Sequence, residues 1–340
     1  MKMKKFLNWH LALIIILIVE FTIFSFLNPY FLNIDNLLFN VADFLYIALA
    51  ALPMTLVIVT GGIDISVGSV MGLGSIVTAL LWSKGIHIGL ASIFGLGAGA
   101  AAGLLNGFLV VLTGVNPLVI TLGSSFLISG VSLILSGMAG ATGFEGISGL
   151  PMSFSNIANG YTFNVPNPVW ILLIAFVLFY IILHKTKYGE YLYLIGMNPE
   201  AAKYSGISVK KILMFTYTLM GIGGAFSGIM LTSYFTSARA DLGASSALSV
   251  VTVAVLGGVS IYGGKGTMIG TFIASLLIGY LKYGLQMAGI SSQETQVFLG
   301  LVLIGTISGR FFWDIYTNVR KNKKAIQKRE KLISQKGENV

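Results

Sequence analysis

Long apolar runs recur along most of this 340-residue chain and constrain its fold more than any other feature. A helix needs about 20 mainly apolar residues to cross the hydrocarbon core of a bilayer. Only 10% of the residues are charged, whereas a soluble domain usually carries about 25%. The sequence therefore predicts an all-α, polytopic integral membrane protein with about ten transmembrane helices in a domain over 11–309. The predicted spans are 11–27, 43–60, 67–82, 88–112, 117–136, 168–183, 212–233, 246–262, 267–285 and 295–309.

The basic residues are divided unevenly between the two faces of the membrane that ten spans define. Of the 21 Lys and Arg residues, only Lys84, Arg239 and Lys282 fall on the face opposite the termini. Because basic residues accumulate in cytoplasmic segments, we expect a multi-pass protein of the cell (inner) membrane with both termini in the cytoplasm. This topology gives a cytoplasmic N-terminus at 1–10, an external loop at 137–167, a cytoplasmic loop at 184–211 and a basic cytoplasmic tail at 310–340.

The polar residues exclude several kinds of site. The chain has no Cys, and its three His residues are far apart in sequence, so no metal-ligand spacing exists. The net charge of +9 lies mostly in the tail, where it suits contact with anionic lipid better than with nucleic acid. We therefore predict no metal, no cofactor and no nucleic-acid partner. The external loop is either a lid or docking surface, or a passive loop that aromatic residues anchor at the interface.

Glycine recurs at helical spacing in the fourth predicted span. Gly95, Gly99, Gly103 and Gly107 are separated by four residues each, so they line one face of a helix. Small residues at this spacing let the backbone of a second membrane helix come close. The pattern predicts tight helix packing along this face.

A glycine-rich turn that contains an aspartate lies between the second and third spans. Gly61 and Gly62 end one apolar helix, and Asp64 and Ser66 can cap the next by accepting hydrogen bonds from its free N–H groups. Two interpretations are open. The turn is either a structural cap, or Asp64 takes part directly in the substrate pathway or its gating, since ionisable groups at membrane depth are commonly functional.

A second copy of this turn occurs near the end of the chain. A shift of 196 residues superposes Gly61 and Gly62 on Gly257 and Gly258, and it superposes Gly68 on Gly264. The same shift lays spans two to four over spans eight to ten in the same orientation. Internal repeats of this kind are common in transporters, with the pathway between the halves.

The acidic residues give no support for an enzyme. Glu20 and Asp64 are the acids that we place within or against apolar runs, and Glu20 is expected to face the headgroups or a neighbouring helix. No second carboxylate, Ser–His pair or Cys accompanies them, so an intramembrane hydrolase is disfavoured. The run from Gly258 to Lys265 fails the G-x-x-x-x-G-K-[ST] pattern, and we therefore expect no ATP hydrolysis by this chain.

A short surface helix is predicted between the sixth and seventh spans. Asn198 suits an N-cap, Pro199 the first helical position, and Glu200 the positive helix start, while Gly206 suits a left-handed residue past the end. We interpret this helix as a docking site for a cytoplasmic partner, with a passive connector as the alternative. The candidate docking residues are Asn198, Pro199, Glu200, Ala201, Ala202, Tyr204 and Gly206.

Three motifs resemble permease subunits of bacterial ABC importers of the ribose type. They are G-G-I-D-I-S-V-G-S at 61–69, G-x-N-P-x-A-A-x-Y-S-G-I at 196–207 and V-L-G-G-V-S-I-Y-G-G-x-G at 255–266. The segments 116–123, 136–147, 237–245 and 284–289 are similar to the autoinducer-2 importers within this family. One departure is that Ser246 and its neighbours stand where other members usually have an acid before V-L-G-G, which weakens any transfer of sugar-site roles.

The resemblance implies a type II ABC importer-like permease that imports autoinducer-2. It implies partners as well: two ATP-binding subunits that bind the ATP, a second, C-type permease and an extracytoplasmic solute-binding protein. Ribose or another monosaccharide is the alternative substrate. An ion-coupled secondary transporter is a further alternative, which the scarcity of membrane-depth charges disfavours.

Overall fold

A computed structural model describes residues 2–141, 145–291, 293–298, 300–302, 304–305 and 308. The chain forms one unit over 1–295 and a second over 296–340. The described residues of the second unit are helical, whereas the predicted tail at 310–340 lies outside the described residues. The following description concerns the first unit.

The first unit is built almost entirely from helices. A two-residue antiparallel pair, β1 (Tyr161–Thr162) with β2 (Val165–Pro166), is a small departure from the all-α prediction. The helices are α1 (Lys2–Leu27), α2 (Ile34–Val59), α3 (Val67–Ser83), α4 (Ile88–Thr113), α5 (Pro117–Met138), α6 (Met152–Asn159), α7 (Asn167–Lys185), α8 (Lys187–Met197), α9 (Pro199–Tyr204), α10 (Val209–Phe235), α11 (Ala247–Leu256) and α12 (Met268–Met287).

Seven helices of the described chain are long and apolar enough to cross a membrane: α1, α2, α4, α5, α7, α10 and α12. The helices α3 and α11 are apolar but shorter. With 10 residues, α11 rises only about 15 Å, roughly half of the hydrocarbon core. The predicted span 246–262 is therefore wrong, since its helix ends at Leu256 and a loop follows.

The boundaries of the first two helices also differ from the predicted ones. Helix α1 already begins at Lys2, so the predicted N-terminal segment 1–10 continues into the first span. Helix α2 begins at Ile34, where the Asn33 side chain accepts a hydrogen bond from Asn36 N over 3.1 Å. This N-cap starts the helix nine residues before the predicted span at 43, and it brings polar residues into the helix.

The predicted glycine face of α4 packs against α3 and α10. A Cβ added at Gly99 would lie 2.5 Å from the carbonyl oxygen of Gly221, and one at Gly103 would lie 3.0 Å from the Gly221 Cα. At Gly107 the added atom would lie 2.8 Å from the Cα of Met214, and at Gly95 the two nearest neighbours are on α3 and the third is on α10. Because any side chain would force these backbones apart, the glycines set the separation of α4 and α10.

The loops gather at two opposite ends of α2. The predicted external loop packs beside the first half of α2, since Ile147 and Phe154 share a buried apolar cluster with Val41 and Phe44. Trp82 Nε1 also donates to the Gly149 carbonyl of this loop over 3.1 Å, and Ile147 pairs with Ala238. The segment joining α7 to α10 packs at the other end, against Val59. The two predicted loops are therefore on opposite sides of the helix bundle.

Candidate functional site

Three chain segments meet at one point, which we call the glycine junction and define as Val59, Gly61, Gly196, Gly263 and Gly264. The Gly264 N–H donates to the Val59 carbonyl over 2.8 Å. A Cβ added at Gly263 would lie 2.8 Å from the Gly196 carbonyl and 2.9 Å from Gly61 N, and one at Gly196 would collide with Val59 and Gly264. The absence of side chains at Gly196, Gly263 and Gly264 therefore allows these backbones to touch.

The junction contains both copies of the predicted repeat, but their register differs from the predicted one. Gly61 (φ 89°) and Gly258 (φ 95°) are the left-handed residues that end α2 and α11. Each N–H bonds three residues back, and the next N–H bonds five residues back, as in a Schellman motif. Gly61 thus corresponds to Gly258, so the superposition of Gly61 on Gly257 was wrong by one residue. The left-handed conformation belongs to the glycine that follows the last helical turn. A Gly-Gly pair alone does not show which of its two glycines that is.

The predicted surface helix is α9, and its ends have the expected geometry. The Asn198 side chain accepts a hydrogen bond from Ala201 N over 3.0 Å, and Pro199 is the first helical residue. Gly206 follows the helix at φ 81°, with its N–H bonded to the Lys203 carbonyl over 3.0 Å. This short helix is therefore closed at both ends by its own sequence.

Helix α9 presents a free surface next to the junction. Ala202 is buried, whereas Glu200 and Ala201 are exposed and the Tyr204 side chain is 88% exposed. Tyr262, in the loop that contributes Gly263 to the junction, is 87% exposed and extends this surface. The sequence reasoning missed Tyr262, although an aromatic residue directly before a glycine pair in a loop is a recognisable signal.

Side chains from distant parts of the chain hold the start of α12 beside the junction. Tyr193 donates its hydroxyl to the Gly266 carbonyl over 2.8 Å, and burial raises the pKa of this phenol, which keeps it a neutral donor. His10 Nε2 lies 2.7 Å from Thr267 Oγ1, and His184 Nε2 accepts from Met268 N over 3.1 Å. In the part of the chain that the structure describes, no three His, Asp or Glu residues are grouped as a metal would need.

The predicted turn carries a buried network that we call the Asp64 cluster, defined as Asp64, Ser66, Asn106 and Tyr217. Asp64 Oδ1 accepts hydrogen bonds from Ser66 N (2.9 Å) and Ser66 Oγ (2.6 Å), and Asn106 Nδ2 donates to Ser66 Oγ (2.7 Å). The Ser66 side chain makes no capping bond to α3, so its predicted capping role was wrong. The Ser66 hydroxyl instead donates its hydrogen bond to Asp64. Each of the four residues of the cluster is at most 1% exposed.

Neighbouring helices fix the turn that contains Asp64. On α5, Thr121 Oγ1 accepts from Ile65 N over 3.0 Å and lies 3.2 Å from the Ile63 carbonyl, to which it donates. The Tyr217 hydroxyl of α10 lies against Gly62, where a Cβ would collide with it. Among the described residues, Asn106 Oδ1 and Tyr217 Oη have no hydrogen-bond partner. Side chains of α4, α5 and α10 therefore hold the turn in place, and the Asp64 cluster is closed to solvent.

A second polar group, which the sequence reasoning missed, lies toward the other end of α2. We call it the Asp43 cluster and define it as Asn40, Asp43 and Tyr234. The Tyr234 hydroxyl donates to Asp43 Oδ1, and Asn40 Nδ2 donates to Asp43 Oδ2 over 2.7 Å. Tyr46 lies close by and approaches Ser246, which belongs to the stretch that stands where the family usually has an acid. Asp43 was available as a signal, since it is the first residue of the predicted span 43–60.

Glu20, the other acid predicted in an apolar run, stands apart from both clusters. Its side chain is 7% exposed on α1, and its Oε1 has no hydrogen-bond partner among the described residues. This burial fits the prediction that Glu20 faces a neighbouring helix, and it does not fit the alternative that Glu20 faces the headgroups.

Comparison with known proteins places the chain among transport proteins. Residues 36–307 match the family described as the branched-chain amino acid transport system / permease component. The autoinducer 2 import system permease protein LsrD of Escherichia coli strain K12 is 48% identical over 303 residues, which cover 89% of this chain and 92% of that protein. The same values hold for LsrD of Escherichia coli O9:H4 strain HS and of Shigella flexneri. No solved structure matches.

The family match covers most of the chain, and the described helices include seven that can span a membrane. The protein is therefore a multi-pass inner-membrane protein that works as the transport subunit of an ABC importer together with other subunits. This chain belongs to the permease-component family of the branched-chain amino acid transport type.

Proposed function

We propose that this chain is the permease subunit through which an ABC importer carries autoinducer-2 into the cell. The observation that carries the proposal is the 48% identity over 303 residues to LsrD proteins, whose described activity is autoinducer 2 import. Identity at this level extends along 89% of the chain, so it includes the helices as well as the connecting segments.

The energy comes from ATP that partner subunits bind and hydrolyse, and the surface formed by α9 and Tyr262 is where such a subunit docks. Two exposed tyrosines, Tyr204 and Tyr262, are available there, and exposed aromatic residues are frequent anchors of protein interfaces. Asn198, Pro199 and Gly206 hold the helix in shape for this contact. The exposed Glu200 and Ala201 complete the docking surface, and Ala202 fastens it to the chain.

The glycine junction transmits the movement of the docked subunit to the membrane helices. Gly196 lies two residues before Asn198 and touches the end of α2 at Val59 as well as the loop that leads into α12. Because these backbones are in direct contact, a displacement of α9 shifts α2 and α12 together. The paired turns that shape this end of the substrate path are formed by Gly61, Gly62, Asp64, Ser66, Gly257 and Gly258.

The complete importer contains two ATP-binding subunits, this permease, a second permease of the C type and an extracytoplasmic solute-binding protein. We infer that both termini and the 184–211 segment face the cytoplasm, because they hold most of the basic residues. Seven long helices, the shorter apolar helices α3 and α11 and the helical residues 293–298 and 300–302 support our proposal of a membrane domain with about ten segments.

Deletion of the gene, with the partner genes left in place, tests the proposal. The deletion strain should stop removing autoinducer-2 from the medium, whereas ribose uptake should continue at the wild-type rate. A tagged copy of the chain should restore uptake and retain the ATP-binding subunits on purification. Normal removal of autoinducer-2 together with lost ribose uptake would overturn the assignment of autoinducer-2 as the substrate. Restored uptake without any ATP-binding subunit would overturn the assignment to the ABC importers.

A further inference from the structure

The loop between α11 and α12 is held at its start by the N-terminal helix. Trp9 Nε1 of α1 donates to the carbonyl of Leu256, the last residue of α11, over 3.0 Å. The Trp9 ring also lies against Gly258, where an added Cβ would lie 2.8 Å from the Trp9 Cδ1 atom. The carbonyl groups at the end of a helix have no partner within that helix. Trp9 therefore supplies one, at the point where α11 ends and the loop begins.

Two histidines hold the other end of the loop, at the start of α12. His10 Nε2 of α1 lies 2.7 Å from Oγ1 of Thr267, which is the N-cap residue of α12. His184 Nε2 of α7 accepts a hydrogen bond from Met268 N over 3.1 Å. The Met268 N–H is one of the donors that a helix leaves unpaired in its first turn. His184 satisfies this donor, so side chains from two distant helices hold the start of α12.

The two histidine contacts respond differently to a proton. His184 Nε2 accepts its hydrogen bond, so protonation there would replace the acceptor with an N–H group that faces the Met268 N–H. The resulting cation would also lie at the positive end of α12, where a cation is unfavourable. The contact of His10 survives protonation, because the Thr267 hydroxyl oxygen can accept from Nε2. The hydrogen bond to Met268 therefore depends on the charge of His184.

The surroundings of His184 offer no anion that would compensate a positive charge. The titratable side chains around this end of α12 are bases, phenols and an imidazole: His10, Lys185, Tyr180, Tyr193 and Lys265. Among the described residues the ion pair found is Arg239–Asp241, and it does not involve His184. His184 is half-buried, so protons can reach it. The contact with Met268 is therefore complete while His184 is neutral, and it is lost as the pH falls through the range in which His184 gains a proton.

From these contacts we infer that His184 is a positioning residue, which holds the start of α12 against the glycine junction while neutral and releases it when the cytoplasm becomes acidic. Gly263 and Gly264 of the junction lie in the loop that leads to Thr267, next to the exposed Tyr262. Release of the α12 start loosens this loop, which forms part of the docking surface, and import slows. The inference rests on the proposed function, because it regulates the same docking surface.

Uptake into proteoliposomes with ATP enclosed and the solute-binding protein outside tests this role, because the internal pH can be set separately. The test lowers the internal pH from about 7.5 to about 5, the range in which histidine usually gains its proton. In His184→Gln an amide oxygen that does not titrate replaces Nε2. The wild-type rate should therefore fall about fivefold more than the His184→Gln rate over this range. His184→Ala should be slow at both pH values, because it has no acceptor for the Met268 N–H.

The matched control is His87→Asn, because His87 also pairs a donor at the start of a helix. His87 Nδ1 accepts from Gly89 N over 3.2 Å at the beginning of α4. The asparagine amide oxygen replaces this acceptor with one that does not titrate, as glutamine does at position 184. His87 lies on the predicted external side, so His87→Asn should keep the wild-type response to internal pH.

A spin label at Tyr262→Cys in the full chain, held in nanodiscs, reports on the loop without any transport, since the chain has no other Cys. Label mobility should rise as the pH falls, and it should stay constant when His184→Gln is added. An equal fall of uptake in the wild type and His184→Gln, or the same label mobility at both pH values, would overturn the role of His184. Absence of autoinducer-2 uptake at every pH would overturn the proposed function, while the label would still decide the role of His184.

Discussion

Asp64 and Asp43 both lie on apolar elements of the same region of sequence, yet their surroundings differ. Asp64 is 1% exposed, and its Oδ1 is bonded to the backbone and hydroxyl of Ser66 in its own turn. Asp43 is half-buried and accepts hydrogen bonds from the side chains of Asn40 on α2 and Tyr234 on α10. The first aspartate therefore fixes a local turn in a closed site, whereas the second joins two helices at a site that solvent partly reaches.

The largest expected effect is on stability, in the pair Asp64→Ala and Asp43→Ala. Asp64→Ala leaves the Ser66 N–H and hydroxyl without an acceptor in a closed site, so the free energy of unfolding should fall by about 3 kcal/mol. Asp43→Ala should cost about 1 kcal/mol, since the half-buried site lets water reach some of its partners. Thermal and denaturant melting of the purified chain measures both.

Transport measured in the same two variants sharpens the comparison. Asp64→Ala should lose autoinducer-2 uptake in proportion to the protein lost, whereas Asp43→Ala should reach the membrane at close to the wild-type level. Equal destabilisation by the two changes would contradict the distinction between a closed aspartate and a half-buried one.

The next effect concerns the glycine junction, which lies beside the Asp64 turn and at the far end of α2 from Asp43. The Gly196→Ala methyl group collides with Val59 and Gly264, so overpacking should cost about 1–3 kcal/mol. Uptake should fall at least tenfold, because the junction links the segment before α9 to the end of α2 and to the loop before α12. Uptake assays and thermal melting of the same preparations measure the two effects.

Gly97→Ala is the matched control, since a Cβ at Gly97 meets nothing within 4 Å. This change within α4 should be neutral or should stabilise the helix by up to about 1 kcal/mol. Equal losses of uptake in Gly97→Ala and Gly196→Ala would contradict the role given to the glycine junction.

The sequence predicted the Asp64 turn because an acid among glycines, between two apolar runs, is conspicuous. It did not predict the Asp43 site because the first nine residues of α2 are comparatively polar, so the span was placed from 43 and Asp43 was taken as a boundary. The Asn33 cap extends the helix, and Tyr234, 191 residues away, completes the site. Contacts over such distances depend on tertiary packing, which local patterns do not contain.

The two glycine turns show the same limit. The Gly61-Gly62 pair correctly predicted the end of α2, whereas the span predicted over 246–262 ran through the second pair, at which α11 ends. Which glycine of each pair adopts the left-handed conformation was not predictable from the pair alone, nor was the contact of both turns with Gly196. By contrast, the capping residues of α9 act within a few positions of each other, so its ends were predictable from sequence.

The smallest change to the protein tests the orientation on which the comparison depends. Because the chain has no Cys, single variants can be labelled without background, and Phe163 and Tyr204 are both 88% exposed. Surface changes such as Phe163→Cys and Tyr204→Cys should alter stability by less than about 0.5 kcal/mol. A membrane-impermeant maleimide should label the Phe163→Cys variant in intact cells and the Tyr204→Cys variant only after permeabilisation. The reverse pattern would put the Asp43 cluster on the cytoplasmic side and the α9 surface outside, where no ATP-binding subunit could dock.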